Sequence, residues 1–260
     1  MIFLLIDAGN TRVKWAVTEF GAKPGLWSTS GSVAHDQLEH LGPAWRNLHI
    51  ARVVVSNVAG MVVRERLQQI LSSVILDGVE SVEWFASLPA CAGLQNGYRQ
   101  PQQLGSDRFA AAIGARALFP DRALLVATCG TATTIDAISA DGVFTGGMIL
   151  PGLKLMAGSL ARNTAQLPEV MALGERLPLF ADNTEEAIIS GCISAQVGAI
   201  ERALAGFARL CPEESIQCIV SGGAGALIAK HLAIPCVHVD NLVLLGLQMA
   251  AQQPSQTSTC

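Results

Sequence analysis

Short apolar runs, each ending at a glycine or a polar turn, alternate along the chain with longer segments whose apolar residues recur every three or four positions. The runs are typical of buried strands, and the periodic segments are typical of amphipathic helices. The runs predict strands at 2–6, 13–18, 26–30, 53–56, 124–127, 133–138, 143–149 and 216–220. The periodic segments predict helices at 59–72, 106–118, 152–161, 184–210 and 224–231.

The first three predicted strands follow one another through short turns, and helices come only later. This order is typical of a mixed sheet with helices packed on its faces, and it differs from the regular strand–helix alternation of a Rossmann domain. With 260 residues, of which 50% are hydrophobic, the chain can fill one large core or two smaller ones. The pattern therefore predicts an α/β protein.

The turn between the first two predicted strands, Asp7-Ala8-Gly9-Asn10-Thr11, has the chemistry of a phosphate-binding loop. Gly9 has no Cβ, so the backbone can approach an anion, and the amides and hydroxyl of the turn can donate to phosphate oxygens. Asp7, at the end of an apolar strand, can hold a hydrated Mg²⁺ ion. An ordinary hairpin turn is the alternative interpretation of the same residues.

A second strand–turn–strand segment of this kind lies at 123–138, with the turn at 128–131. Alignment of the two turns sets Thr128 against Asp7, Gly130 against Gly9 and Thr131 against Thr11, with one extra residue in the first turn. Two such loops in opposite halves of a chain predict two related domains with one nucleotide in the cleft between them. This is the arrangement of the actin-like ATPase superfamily.

A third segment with candidate chemistry, 98–108, leads into the Ala-rich helix predicted at 106–118. Ser106 is predicted to cap this helix, which puts Asp107 and Arg108 in its first turn. The helix dipole favours an acidic residue there and disfavours a cation, so helix-end electrostatics alone could explain Asp107. Arg108 instead suggests an anionic partner, such as a substrate carboxylate held by the guanidinium group.

The composition narrows the class of partner. A net charge of −4 gives no basic surface for nucleic acid, and no uninterrupted apolar run reaches the roughly 18 residues of a membrane span. The opening MIFLLI has no basic leader and runs into the first turn, so it is interpreted as a core strand and not as a signal peptide. The 7 cysteines lack CxxC spacing and are predicted to be reduced thiols of a cytoplasmic protein.

Together these segments resemble the type III pantothenate kinases, which catalyse the first step of coenzyme A synthesis. The family motifs DxGNT, GxDR and DxGT correspond here to 7–11, 105–108 and 128–131, and the similarity continues through 146–152, 182–188 and 221–225. The resemblance implies two ribonuclease H-like, actin-like ATPase domains at 1–117 and 118–252, followed by a flexible tail at 253–260. It also implies a homodimer, and the Ala-rich helix at 110–117 is predicted to supply the interface.

The resemblance implies ATP-dependent phosphorylation of pantothenate with Mg²⁺, and it assigns the site residue by residue. Asp107 is implied to be the general base that takes the proton of the pantothenate hydroxyl, and Asp7 is implied to hold the metal. The implied nucleotide-binding residues are Asp7, Ala8, Gly9, Asn10, Thr11, Arg12, Val13, Lys14, Gly130, Thr131, Gly222 and Gly223. The implied pantothenate-binding residues are Tyr98, Gly105, Ser106, Asp107, Arg108 and Thr184.

The chain departs from the family pattern at Thr128, where many members carry an Asp that helps to bind K⁺ or NH₄⁺ beside the nucleotide. A neutral hydroxyl is a weaker ligand for a cation than a carboxylate is. The sequence leaves open whether this ion is replaced, is bound by carbonyl groups, or is absent.

Two other functions remain open on the sequence alone. A regulatory accessory protein could retain the kinase fold for a partner, and another small-molecule kinase of the superfamily could share both phosphate loops. Asp107 and Arg108 favour an enzyme over a binding protein, which needs no base beside a carboxylate clamp. The GxDR segment favours pantothenate over a sugar, because sugar kinases place their base in other sequence surroundings.

Overall fold

The computed structural model describes residues 1–46, 48–74, 82–168, 170 and 178–253. The strands are β1 (Ile2–Ala8), β2 (Arg12–Glu19), β3 (Thr29–Ala34), β4 (Ile50–Asn57), β5 (Val82–Trp84), β6 (Ala90–Cys91), β7 (Leu94–Asn96), β8 (Ala123–Cys129), β9 (Ala132–Ile138), β10 (Val143–Pro151), β11 (Ile216–Ser221) and β12 (Val237–His238). The α-helices are α1 (Leu41–Trp45), α2 (Met61–Val74), α3 (Ser106–Leu118), α4 (Leu153–Asn163), α5 (Thr184–Leu210), α6 (Gly225–Ala229) and α7 (Leu242–Ala251). Short 3-10 helices lie at His35–His40 and Pro101–Gln103.

The chain forms two compact units. Unit 1 contains Met1–Pro120, Gly142–Phe144 and the C-terminal segment from Leu242, and unit 2 contains Asp121–Asp141 and Thr145–Asn241. The predicted domain bounds place α7 in the second half of the molecule, whereas the compact units place this helix in unit 1. All but the first residue of the tail predicted at 253–260 lies outside the described residues.

Unit 1 is built on a mixed sheet of order β3-β2-β1-β4-β5. The strand β2 is antiparallel to β1 and β3, whereas β1 and β5 are parallel to β4. One face packs on α2, where Leu4 and Ile6 share a core with Leu67 and Leu71. Because successive strand residues alternate between faces, the intervening residues face the other side, where α7 contacts β1 and α3 contacts β4.

Unit 2 is built on the strand order β12-β11-β8-β9-β10. The strand β8 pairs antiparallel with β9 and parallel with β11. Leu125 and Val220 of this sheet share a core with Ile189, Ile193 and Ile200 of α5. Among the described residues, α5 alone is long and apolar enough to span a membrane. This is weak evidence for a membrane span, because the core helix of a soluble protein passes the same test.

The Ala-rich helix α3 is buried inside unit 1 by close packing against α7. A Cβ atom on Gly114 would lie 2.5 Å from the carbonyl oxygen of Leu242, and one on Gly246 would collide with the carbonyl oxygen of Ala110. Residues Phe109 to Ile113 and Ala115 are at most 1% exposed. The prediction that 110–117 supplies a dimer interface is therefore wrong, because α7 already covers this surface.

Most predicted elements are present with small shifts. In unit 1 the third strand is displaced, and α1, β5, β6, β7 and α7 were not predicted. The third strand lies at Thr29–Ala34 and not at 26–30, because Gly25 has a φ of +78° and begins a loop held by a hydrogen bond from its amide to Gln248 Oε1 at 2.8 Å. The helix α7 was not predicted, since its sequence LVLLGLQMAA has no polar face to reveal a helical period.

Substitution of Gly246 by Ala should destabilise the protein by about 3 kcal/mol, because the added methyl group forces α3 and α7 apart. The matched control is Gly198→Ala in α5, where a Cβ meets nothing within 4 Å. This change should stabilise by about 0.5–1 kcal/mol, since Ala is the better helix former. Urea denaturation measures both changes, and equal effects at the two glycines would contradict the close α3–α7 contact.

Candidate active site

The first predicted phosphate loop is a tight turn between β1 and β2. The amide of Gly9 donates to the carbonyl oxygen of Arg12 at 3.1 Å, while Asn10 and Thr11 are exposed. The strands on either side pair Asp7 with Lys14. The backbone is therefore that of a hairpin turn, and Asn10 and Thr11 are open to solvent at its tip.

A histidine that the sequence interpretation passed over supports this turn. His35 Nε2 donates to the carbonyl oxygen of Gly9 at 2.9 Å, and the carbonyl oxygen of His35 accepts from Arg66 Nη1 at 3.0 Å. The β2–β3 register pairs Arg12 with Ala34, so the residue after β3 arrives beside the turn. Only the correct position of β3 could have revealed this contact from the sequence.

Asp7 ends β1 in a site where its negative charge is disfavoured. Burial, and secondarily the charge of Asp107, raise the pKa of the Asp7 carboxyl from 3.8 to about 7, although Lys14 opposes the shift. The Asp107 contribution means that the two carboxyl groups lie close enough to repel each other. A cation bound between two such groups would relieve this repulsion.

Asp107 lies in the first turn of α3, as predicted, but Ser106 is not the cap. The N-cap residue is Gly105, and Ser106 is the first helical residue, with its Oγ 2.9 Å from Ser56 Oγ. Asp107 Oδ1 accepts from the amide of Arg108 at 2.8 Å. A Cβ on Gly105 would lie 2.7 Å from the same oxygen, so glycine is needed there to leave room for the carboxylate.

The protonation of Asp107 reflects opposing effects. Burial raises the pKa of this carboxyl above its ordinary value, while the amide and the guanidinium group of Arg108 lower it. The net direction is upward. A carboxylate with a raised pKa is a stronger base than an exposed one.

Arg108 is held among aromatic groups in unit 1. Its side chain is only 7% exposed, and its Nη1 donates to the hydroxyl of Tyr98 at 2.9 Å. The guanidinium carbon lies 5.7 Å from the ring centroid of Tyr98 and 5.6 Å from that of Phe144. Phe144 was not predicted, because it follows Arg108 by a long stretch of chain and carries no motif of its own. These contacts fix the direction of a cation that can bind a carboxylate.

The second predicted phosphate loop, in unit 2, has a related backbone geometry. The amide of Gly130 donates to the carbonyl oxygen of Ala132 at 3.0 Å, as that of Gly9 does to Arg12. The turn closed by this hydrogen bond is one residue shorter than the first turn. The difference agrees with the extra residue that the alignment placed in the first turn. The amide of Gly152 donates to Thr131 at 2.9 Å and closes the other side of the loop.

Gly222 and Gly223 follow β11 near this loop, and they differ in whether a side chain would fit. Gly222 has a φ of +89°, and a Cβ there would lie 2.5 Å from the carbonyl oxygen of Cys129. A Cβ on Gly223 meets nothing within 4 Å, so this position borders open space. Burial raises the pKa of the Cys129 thiol to about 11, which makes it unreactive at neutral pH.

Thr128, the departure from the family motif, has a buried hydroxyl. Its Oγ1 has no hydrogen-bond partner within the part of the chain that the structure describes. An unsatisfied buried hydroxyl costs free energy unless a bound group meets it. Its oxygen therefore remains available as a neutral ligand.

Thr184 begins α5 and lines a cavity of about 840 Å³ in unit 2. The same cavity is lined by Met156, Asp182 and Cys192. Asn183 caps the helix by accepting from the amide of Glu186 at 3.0 Å. The structure thus brings Asp7, Asp107 and Arg108 together in unit 1, whereas the second loop and Thr184 are separate features of unit 2.

Solved structures share this fold. A protein of Campylobacter jejuni described as a Baf family transcriptional activator has a TM-score of 0.57 at 20% identity, covering 96% of this chain and 97% of that one. A protein of Sinorhizobium meliloti described as a 2-dehydro-3-deoxygalactonokinase has a TM-score of 0.56 at 16% identity, with the same coverage. The predicted α/β fold, with mixed sheets flanked by helices, is confirmed.

The sequence comparisons test the predicted family. A model of the type III pantothenate kinase family matches residues 3–206. The type III pantothenate kinase of Herminiimonas arsenicoxydans is 54% identical over 253 residues, which cover 96% of this chain and 97% of the relative. The chain therefore belongs to the type III pantothenate kinase family.

Proposed function

We propose that this chain transfers the γ-phosphoryl group of ATP to the primary hydroxyl of pantothenate, with Asp107 as the general base and Arg108 as the carboxylate clamp. The overall reaction, ATP-dependent phosphorylation of pantothenate in coenzyme A biosynthesis, is that of the family to which the chain belongs. The observation that carries the residue roles is the pairing of Asp107 with a buried, aromatic-lined Arg108 at the start of α3.

The geometry of α3 supports both roles. Asp107 Oδ1 accepts a hydrogen bond from the Arg108 amide, which directs its carboxylate, and Gly105 leaves room for this position. Phosphoryl transfer depends mostly on positioning and charge neutralisation, and a fixed base meets the first need. Tyr98 orients the guanidinium group, which can then hold the pantothenate carboxylate in a bidentate manner.

The two glycine turns would hold the phosphates of ATP. The first turn contributes residues 7–14, with Lys14 paired to Asp7 across β1 and β2. The second contributes Gly130 and Thr131. Gly222 packs against Cys129, and Gly223 would offer an open backbone surface to the nucleoside. Backbone amides at such turns suit anions because they donate without a side chain in the way.

The residues around Asp7 fit a magnesium ion. Two mutually repelling carboxyl groups, one of them with a pKa raised to about 7, form an oxygen-rich site of the kind that Mg²⁺ prefers. Asp7 would hold the ion. Bound Mg²⁺ supplies charge neutralisation at the phosphates, while Asp107 keeps its role toward the substrate hydroxyl.

The unsatisfied hydroxyl of Thr128 fits a weakly held monovalent cation. A threonine oxygen can ligate K⁺ or NH₄⁺ but adds no charge. We therefore assign this chain a weaker dependence on these ions than relatives with Asp at the same position.

The remaining features of the proposal concern partners and location. Thr184 would contribute to the pantothenate pocket from the start of α5, beside the cavity it lines. The protein would act as a cytoplasmic homodimer without nucleic acid or membrane partners, and its interface would not involve α3. The regulatory alternative gains no specific support from the described residues.

A substrate assay with the purified protein tests the proposal directly. Transfer of phosphate from ATP should occur with pantothenate and not with a panel of sugars or other hydroxy acids. Phosphorylation of a sugar at a comparable rate would instead favour another kinase of the superfamily.

Replacement of Asp107 by Asn should lower kcat by about 10²- to 10⁴-fold, the usual range for loss of a general base. ATP binding and the unfolding transition should change little, because the amide can still accept from the Arg108 backbone. Glu65→Gln, at an exposed position of α2, is the control for loss of a carboxylate. Full turnover in Asp107→Asn would exclude this residue as the base.

Replacement of Asp7 by Asn should change how stability depends on pH. Since the folded pKa of about 7 lies above the unfolded value of about 4, the folded state binds more protons between these values. Wild-type stability without Mg²⁺ therefore falls as pH rises from 4 to 7. In Asp7→Asn this fall should become much smaller, with a remainder from Asp107, whose pKa is also raised, and half-maximal turnover should require more Mg²⁺.

Urea denaturation at pH 4 to 8 and a Mg²⁺ titration of the initial rate measure these two effects. An unchanged pH profile would contradict the electrostatic description of Asp7. An unchanged Mg²⁺ requirement would instead contradict its role as a metal ligand.

Replacement of Thr128 by Asp should increase the dependence of the rate on K⁺ or NH₄⁺, because an added negative charge attracts the ion by about 1 kcal/mol at 4 Å in water and more in a drier site. Thr128→Val, which removes the hydroxyl without adding charge, is the control. Initial rates against added KCl or NH₄Cl at constant ionic strength measure the effect. A steep K⁺ requirement in the unmodified protein would show that other groups supply the site.

A further inference from the structure

Ser56 is a buried polar residue near the end of β4, directly after three buried valines. It is 0% exposed, as are Val53, Val54 and Val55 before it in β4. A hydroxyl buried among apolar residues costs free energy unless it is hydrogen-bonded. Its oxygen lies 2.9 Å from the hydroxyl oxygen of Ser106, the first residue of α3.

The strand register places Ser56 beside the metal-binding carboxylate. The parallel pairing of β1 and β4 sets Ser56 directly against Asp7. Directly paired residues of neighbouring strands project from the same face of a sheet. The side chains of Ser56 and Asp7 therefore share the face on which α3 begins.

The first turn of α3 is also tied to its surroundings through Arg108, which bonds to Tyr98, and through Gly105. Ser87 Oγ donates to the carbonyl oxygen of Gly105 at 3.4 Å, a long hydrogen bond. The N-cap residue, Gly105, makes no side-chain bond to the helix. The bond between Ser56 and Ser106 is shorter than the bond from Ser87 to Gly105. It also attaches to the residue next to Asp107.

We propose that Ser56 is a positioning residue for phosphoryl transfer, which fixes the first turn of α3 through Ser106 and so sets the place of the Asp107 carboxylate. This inference rests on the proposed role of Asp107 as the base. A misplacement of a catalytic group by about 1 Å can lower a rate by roughly 10²-fold. Release of the first helical residue from β4 allows a displacement of this kind.

Ser56→Ala should lower kcat by roughly 10- to 100-fold while the KM for ATP changes by less than about twofold, because the substitution displaces the base and not the phosphate loops. In the Asp107→Asn background the same substitution should change kcat by less than about twofold, since a base that is absent cannot be misplaced. Ser106→Ala breaks the same hydrogen bond as Ser56→Ala does. The double variant with both substitutions should therefore have a kcat no lower than that of the slower single variant.

The matched control is Thr18→Val, which removes another buried hydroxyl of the same sheet. Thr18 is 1% exposed, donates to the carbonyl oxygen of Leu26 at 3.0 Å, and pairs with Phe3 at the opposite end of β1 from Asp7. The Thr18→Val substitution should lower the unfolding midpoint in urea at least as much as Ser56→Ala does, and it should leave kcat unchanged. Activity is referred to the folded fraction in each case.

The outcomes separate a positioning role from a structural one. Turnover of folded Ser56→Ala within about twofold of the unmodified protein, or an equal fold-loss in the Asp107→Asn background, would overturn the inference. If Ser56→Ala does not fold, the same two readouts on Ser106→Ala decide the question. Wild-type turnover in Asp107→Asn itself would instead remove the proposed base, a failure that is distinct from that of Ser56.

Discussion

The position of α3 depends on a close contact between two helix backbones. Gly114 and Gly246 allow α3 and α7 to approach to a distance at which any side chain would collide with the facing carbonyl groups. Close-packed interiors transmit such constraints, because there is no free volume into which a helix can shift. The middle of α3 is therefore placed by residues far along the chain, whereas its first turn, with Asp107, is held by contacts of its own.

The carboxyl groups of Asp7 and Asp107 are held in a way that opposes stability. Burial raises both pKa values, and the two charges repel each other. A structure optimised for stability alone would place an amide or an apolar residue at these positions. Their presence is understandable if a cation and a polyphosphate complete the electrostatics of the site.

The sequence was sufficient for elements with strong local signals. The helices α3 and α5 begin and end where predicted, since one follows a glycine turn and the other follows a capping Asn183 with acidic residues in its first turn. The motif glycines also mark real backbone requirements, as at Gly105 and Gly222. The uniform apolar character of α7 explains why this helix was missed, and the positive φ of Gly25 explains the displaced third strand.

The supporting residues of the site could not be predicted in the same way. His35, Ser56 and Phe144 carry no motif, and each reaches the site through the pairing or packing of strands that are distant in sequence. Their positions depend on the register of strand pairing. A shift of one residue in register would turn each side chain of a strand to the other face of the sheet. The sequence thus identifies the residues proposed for chemistry, whereas the fold identifies those that hold them.

The place of α7 has a consequence for the synthesis of the chain. The strands β1 to β4 of unit 1 precede unit 2 in the sequence, yet part of one face of their sheet is covered by a helix that follows the whole of unit 2. Unit 2 is nearly continuous in sequence, so its core is complete before α7 has been made. Domains commonly fold in order from the N-terminus during synthesis. Here unit 2 can complete its core before unit 1 does, and the part of the N-terminal sheet that α7 covers stays exposed until α7 has been made.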